Sequence, residues 1–162
     1  MFRLVPLLLL LALPAQAQEF IRLASFNIAE FGEGNHPTED RDLDLIAEML
    51  TDGDFDLIAI REVGTVTGGA TQITALVTLM NNLHASNPEY FFAITPLTGD
   101  ERYAFIFRDP VIIEDDFLWL DDDREPSNPR AGGETFYRIP VAASFTAGNF
   151  DFVVVSTHLC LS

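Results

Sequence analysis

Asn27 and Glu62 lie at the ends of two segments whose sequences are typical of β-strands. The first segment, 19–28, alternates apolar and polar residues, and the second, 55–63, is apolar almost throughout. A helix between them predicts a right-handed crossover, so that the strands are parallel and both residues lie at the sheet edge where ligands bind. An amide oxygen beside a carboxylate suits Mg²⁺, which prefers oxygen ligands. A metal site and a simpler interpretation, a turn residue beside a solvated acid, are equally open at this point.

Three more residues, Glu101, Arg138 and His158, have side chains suited to acid–base chemistry on a phosphate group. A carboxylate that accepts the ring N–H of a histidine fixes its tautomer, and such a pair acts as a general acid or base. Arginine binds phosphate through two parallel hydrogen bonds. The residues alone favour a plainer interpretation, in which Glu101 belongs to a solvated hairpin and His158 is a hydrogen-bonded core histidine.

The elements that would position these residues follow from hydrophobic periodicity. A helix is predicted over 38–53, with Thr38 as its N-cap and Gly53 at its end, and a second helix over 73–83. Strand-like runs then follow with short links: YFFAITP, RYAFIFR, VIIEDDFLWL, RIPVAASF and FDFVVVSTH. The last two are joined by a hairpin turn at 148–149. This order predicts a mixed sheet with helices on one outer face.

Composition limits the classes of function. The 162 residues carry a net charge of −16, and all nine cations are arginines, which argues against sequence-independent nucleic-acid binding through a broad basic surface. A phosphate substrate is still allowed, because divalent metals can supply positive charge. Residues 1–17 have the pattern of a signal peptide, and no later run is long enough to span a bilayer. We therefore expect a secreted or periplasmic protein without a membrane anchor, whose single Cys160 forms no internal disulfide.

Five segments in register resemble the first motifs of the endonuclease/exonuclease/phosphatase superfamily, in its deoxyribonuclease I-like group. They are IRLASFNIAEFG, FDLIAIREV, ERYAFIFR, FYRIPVAASF and FVVVSTHL. The resemblance implies an α/β fold, the N-terminal part of a four-layer α/β/β/α sandwich. It also implies that 18–162 is a partial domain, truncated after the first catalytic histidine.

The same resemblance implies a role for each candidate residue. Glu62 matches the metal-binding glutamate, and Asn27 matches an asparagine near the metal and the phosphate. Glu101 matches the carboxylate that orients the catalytic histidine, His158, and Arg138 matches an arginine that contacts phosphate. The expected cofactor is Mg²⁺ or Mn²⁺, and the expected substrate is a phosphodiester, above all DNA. The superfamily's second histidine and its aspartate have no counterpart here, so little activity is expected of these 162 residues alone.

Several departures from the group leave the substrate open. Arg61 stands where the group usually has glutamine, and Gly64 stands where an arginine reaches into the DNA minor groove. Gly99 replaces a tyrosine that packs on a deoxyribose. A lipid or sugar phosphate is therefore an alternative substrate, and an exported binding domain without catalysis is an alternative function. The polar loop 121–135 contains four acidic residues that are candidates for a structural Ca²⁺ site: Asp121, Asp122, Asp123 and Glu134. A solvated acidic loop is the simpler interpretation.

Overall fold

The computed structural model describes residues 20–32, 42–64, 67–83, 89–96, 101–115, 117–120 and 139–158. Its elements, in chain order, are β1 (Leu23–Phe31), α1 (Leu43–Asp52), β2 (Leu57–Gly64), α2 (Thr67–Leu83), β3 (Tyr90–Ile94), β4 (Glu101–Arg108), β5 (Val111–Ile113), β6 (Leu118–Trp119), β7 (Val141–Ala147) and β8 (Phe150–Ser156). The predicted signal peptide lies outside the described residues. No helix within the described residues is long and apolar enough to cross a membrane.

The strands form two sheets. The first has the order β1-β2-β4-β3, with β1 and β2 parallel, as predicted, and the other pairs antiparallel. The second is antiparallel: β7 pairs with β5, β6 and β8. Periodicity alone predicted a single mixed sheet, because it identifies strands but does not specify which strands pair. The α/β fold with sheets and helices in layers is the one that the resemblance predicted.

Side chains that point alternately to the two faces of β4 explain why the helices and the second sheet lie on opposite sides of the first sheet. Ala104 and Ile106 face a core that the first sheet forms with α1 and α2, whereas Tyr103, Phe105 and Phe107 face a second core between the two sheets. Since both faces of the strand are buried, its sequence is apolar almost throughout. Helices therefore cover one side of the first sheet and the second sheet covers the other.

Helix α1 begins later than the sequence predicted. Asp42 is its N-cap, and the Asp42 carboxylate accepts a hydrogen bond from the Leu45 N–H at 3.0 Å. The prediction of Thr38 as the N-cap was therefore wrong, because Asp42 satisfies the first-turn amides instead. The predicted end of the helix at Gly53 is confirmed.

A charged cluster joins β4 to the turn before β2, at the end of the sheet opposite Glu62. The Arg108 guanidinium donates to Asp54 Oδ1 at 2.5 Å, to the Asp54 carbonyl at 3.0 Å and to Asp56 Oδ1 at 3.0 and 3.2 Å. It also lies 5.3 Å from the centre of the Tyr90 ring. The hydrogen bond from Arg108 lowers the pKa of the Asp54 carboxyl below its usual value. This cluster holds the end of β4 against the turn before β2.

Candidate active site

The structure brings four of the sequence-predicted residues to one edge of the molecule. Asn27 and Glu62 lie toward the carboxyl ends of the parallel strands β1 and β2. Glu101 begins β4, which runs antiparallel to β2 and so starts at the same edge. His158 follows the end of β8, in the other sheet. The candidate site therefore lies where the two sheets meet at this edge.

An irregularity in β2 determines where the Glu62 side chain points. Regular alternation along β2 would direct Glu62 toward the helices, with Ile58 and Ile60. The register of β2 against β4 shifts between Ile60 and Val63, and Glu62 has a left-handed φ of 62°. Val63 then occupies the helix-facing core, and the Glu62 carboxylate reaches the inter-sheet side, where His158 lies. A bulge that redirects a side chain at a candidate site is a recurrent structural device.

His158 lies between two carboxylates. Its Nε2 is 3.0 Å from Glu62 Oε1, and its Nδ1 is 3.2 Å from Glu101 Oε2. The side chains of His158, Glu62 and Glu101 are 13%, 14% and 11% exposed, so the contacts are largely shielded from water. Shielding strengthens hydrogen bonds between charged groups. One imidazole is thus held from both sides, and its two nitrogens face different carboxylates.

Asn27 adds a further contact to Glu62. Its Nδ2 donates to Glu62 Oε1 at 2.7 Å, and its Oδ1 accepts from the Ala29 N–H at 2.8 Å. Ala29 has a left-handed φ of 49°, so β1, like β2, departs from regular strand geometry beside the site. The amide of Asn27 therefore fixes the orientation of the Glu62 carboxylate. Direct ligation of a metal by Asn27 stays a prediction.

The donor atoms at this edge are compatible with a divalent metal. Ligand atoms of Glu62, Glu101 and His158 all lie within 4.8 Å of one another. Carboxylate oxygens suit Mg²⁺ and Mn²⁺, and imidazole is also accepted by Mn²⁺ and other transition metals. The residues present therefore fit the metal that the sequence predicted.

Two predicted features lie outside the described residues: Arg138 and the acidic loop 121–135. Their roles stay predictions. The described residues add one cation that the sequence analysis treated only as a departure. Arg61 donates from a guanidinium nitrogen to the Thr157 carbonyl at 3.3 Å, next to His158. Alternation from Leu57 through Ala59 would have placed Arg61 on the inter-sheet face, because the bulge begins only after Ile60.

Comparison with solved structures identifies the fold. An endonuclease/exonuclease/phosphatase family protein from Leptotrichia buccalis aligns with a TM-score of 0.59 at 15% identity, covering 88% of this chain and 55% of that chain. A mannosyl-6-phosphatase from Bacteroides thetaiotaomicron aligns with a TM-score of 0.58 at 18% identity, covering 84% of this chain and 50% of that one. The chain therefore has the fold of these endonuclease/exonuclease/phosphatase proteins.

Sequence comparison identifies the nearer relatives. Deoxyribonuclease-1 from Sus scrofa is 32% identical over 165 residues, which cover 96% of this chain and 54% of that protein. No family model matches the sequence. The chain spans about half the length of the deoxyribonuclease-1 proteins that it matches.

Proposed function

We propose that this chain carries the metal-binding residues and one acid–base pair of an exported phosphodiester hydrolase that requires a divalent metal and acts on DNA. The observation that carries the proposal is the position of His158, held between Glu62 and Glu101 at 3.0 and 3.2 Å. The similarity to deoxyribonuclease-1 supports DNA as the substrate.

Each residue of the site has a role in this proposal. A bound Mg²⁺ or Mn²⁺ would polarise the phosphate and help to generate the attacking nucleophile from water. Glu62 would hold the metal, and Asn27 orients the Glu62 carboxylate through the 2.7 Å hydrogen bond. Glu101 accepts the Nδ1–H of His158, and Nε2, which lies 3.0 Å from Glu62 Oε1, is the nitrogen that would take up or give a proton at the substrate once Glu62 binds the metal. Arg138 contacts the phosphate and stabilises its developing charge.

The arrangement also explains why charge does not exclude a phosphate substrate. The protein has a net charge of −16 and the site contains two carboxylates, so a phosphodiester would be repelled by the site alone. A divalent cation held by these carboxylates would offset this repulsion. Both substrate binding and the chemical step should therefore depend on the metal.

Among the described residues, the site holds one acid–base pair, His158 and Glu101. The chain spans 54% of the pig relative, and the described residues offer one histidine at the site. We accordingly expect metal binding by this chain and little or no hydrolysis by it alone.

Metal binding is the first experiment. Titration calorimetry with Mn²⁺ should detect one site in the wild-type chain and a loss of affinity of at least about tenfold in Glu62→Gln, because one carboxylate ligand is gone. Glu48→Gln, an exposed residue of α1, removes the same charge far from the site and should bind Mn²⁺ like the wild type. Equal affinities for all three proteins would contradict the proposal.

A sugar phosphate is a second candidate substrate, favoured by the mannosyl-6-phosphatase among the structural neighbours. Gly64, on the described strand β2, has no side chain with which to contact a DNA groove. An active form of the protein that contains these residues should be offered double-stranded DNA, RNA, sphingomyelin and mannose 6-phosphate, with and without EDTA. EDTA-sensitive cleavage of DNA alone supports the first candidate. Release of phosphate from mannose 6-phosphate, with DNA left intact, supports the second.

A further inference from the structure

The bulge in β2 places two neighbouring residues of this strand against the segment that carries His158. Arg61 and Glu62 both lie opposite the single residue Tyr103 of β4, which is the pattern of a β-bulge. The Arg61 guanidinium donates to the Thr157 carbonyl at 3.3 Å, and Glu62 Oε1 lies 3.0 Å from His158 Nε2. Two consecutive residues of the first sheet therefore contact two consecutive residues of the second.

The segment that carries His158 needs such a contact, because its own sheet does not hold it. β8 pairs with β7, and the last pair of this ladder joins Ser156 to Val141. Thr157 and His158 follow that pair, so the hydrogen bonds of the ladder do not fix their backbone. The position of the imidazole depends on the backbone before it, and in the described structure the Thr157 carbonyl is bound by Arg61.

The surroundings of the Arg61 guanidinium favour contact with the backbone over contact with a substrate. Arg61 Nε is shielded from solvent and has no hydrogen-bond partner among the described residues. Arginine usually binds phosphate through two parallel N–H groups of its planar fork. Because Nε is shielded and a terminal nitrogen already donates to Thr157, Arg61 is better placed to hold the protein backbone.

We infer that Arg61 is a positioning residue, which fixes His158 through the Thr157 carbonyl and so keeps the imidazole between Glu62 and Glu101. The inference rests on the proposed function in one respect, that His158 is the acid–base group of the site. Arg61 stands where the deoxyribonuclease I-like group usually has glutamine, whose side chain is shorter. The guanidinium contact is therefore a feature of this chain.

Histidine-ring NMR of this chain in EDTA tests the inference without any catalytic readout. The sequence has three histidines, and the ring signals of His158 are those that His158→Ala lacks. The wild type should give a single sharp set of these signals. Arg61→Met should broaden or split them, because the ring then occupies more than one position. Arg61→Lys keeps a charged donor and should restore the single set at least in part.

Arg22→Met is the matched control. Arg22 is 58% exposed and pairs with Asp54 at the opposite end of the sheet, so its loss should leave the His158 signals as in the wild type. Far-UV circular dichroism checks that each variant is folded. If methionine at position 61 prevents folding, Arg61→Gln repeats the comparison with a shorter polar side chain.

Metal binding separates this inference from the proposed function. Arg61→Met should bind Mn²⁺ about as well as the wild type in titration calorimetry, because Glu62 and Glu101 are unchanged. If the wild type bound no Mn²⁺, the proposed metal site would fail, and the ring signals in EDTA would still test the role of Arg61.

Kinetics of an active form of the protein that contains these residues provide the second test. Arg61→Met should lower kcat by about 10–100-fold and leave KM within about twofold, because a misplaced acid–base group slows the chemical step. In a His158→Ala background, Arg61→Met should slow the reaction no further, since Arg61 acts through His158.

Three results would overturn the inference. The first is a single sharp set of His158 signals in folded Arg61→Met or Arg61→Gln. The second is a raised KM with unchanged kcat, which would make Arg61 a substrate contact. The third is an undiminished effect of Arg61→Met when His158 is already alanine.

Discussion

Replacing Arg108 by methionine should destabilise the protein strongly without touching the candidate site. Methionine keeps much of the apolar stem and removes the guanidinium. The substitution deletes the hydrogen bonds to Asp54 and Asp56 and the contact with the Tyr90 ring. Both carboxylates then lose their buried cationic partner while they stay fixed in the turn before β2.

The exposure of the partners sets the expected magnitude. Removing one member of a buried ion pair costs about 3–5 kcal/mol, whereas an exposed pair contributes less than about 1 kcal/mol. The side chains of Arg108 and Asp56 are 7% and 14% exposed, but that of Asp54 is 49% exposed. Water can therefore solvate the Asp54 carboxylate after Arg108 is removed. We expect a loss near the lower end of the buried range, about 3 kcal/mol.

Urea unfolding at pH 7, followed by far-UV circular dichroism, measures this loss. The pH dependence gives an independent check. The pKa of Asp54 is lowered from 3.8 by its hydrogen bond with Arg108, so its stabilising contribution is complete above pH 3.8 and is lost as the pH falls through the folded-state pKa. The difference in stability between wild type and Arg108→Met should therefore narrow below about pH 4.

Arg22→Met is the control for this prediction. Arg22 also pairs with Asp54, but its side chain is 58% exposed, so its loss should cost less than about 1 kcal/mol. The reasoning about the buried cluster would be refuted if Arg108→Met destabilised the protein no more than Arg22→Met at pH 7. It would also be refuted if the difference in stability between the wild type and Arg108→Met did not narrow toward acid pH.

Three further substitutions test the structure around the site. Gly32→Ala should lower the unfolding free energy by more than about 1 kcal/mol. Gly32 has a φ of 86°, and a Cβ there would lie 2.5 Å from the backbone carbonyl carbon of Gly68. An unchanged urea midpoint would count against this contact. Glu62→Gly should be more stable than Glu62→Gln by about 1 kcal/mol, since only glycine adopts a φ of 62° without strain, and equal stabilities would contradict the bulge. Glu101→Gln, in an active form of the protein, should reduce hydrolysis by about 10–100-fold because His158 loses its charged acceptor, and an unaltered rate would show that Glu101 does not act at the site.

Much of the framework could be predicted from the sequence because burial produces simple patterns. The near-continuous apolar run of β2 is typical of a strand that is buried on both faces, and the structure has cores on both sides of it. The parallel pairing of β1 and β2 followed from the helix between them. The predicted start of α1 was wrong: Thr38 and Asp42 both belong to the residue types that cap helices, and the helix begins after Asp42, the stronger cap of the two.

The geometry of the site was less predictable. Sequence position placed Asn27, Glu62, Glu101 and His158 at strand ends, which is enough to bring them to one edge. Periodicity gave no sign of the bulge at Glu62, and a regular strand would have turned this carboxylate toward the helices. The role of Arg61 was also missed, because its contact with Thr157 joins residues 96 positions apart. Contacts between sheets depend on how the sheets pack, which local patterns do not encode.

The most direct test of the metal site is anomalous diffraction from crystals of this chain soaked in Mn²⁺. The account predicts one strong peak within coordination distance of the Glu62 carboxylate, about 2.0–2.6 Å, and close to Glu101 and His158. Crystals of Glu62→Gln, soaked in Mn²⁺ in the same way, should lack that peak. A peak elsewhere, or none beside Glu62 in the wild type, would contradict the claim that these residues form a metal centre.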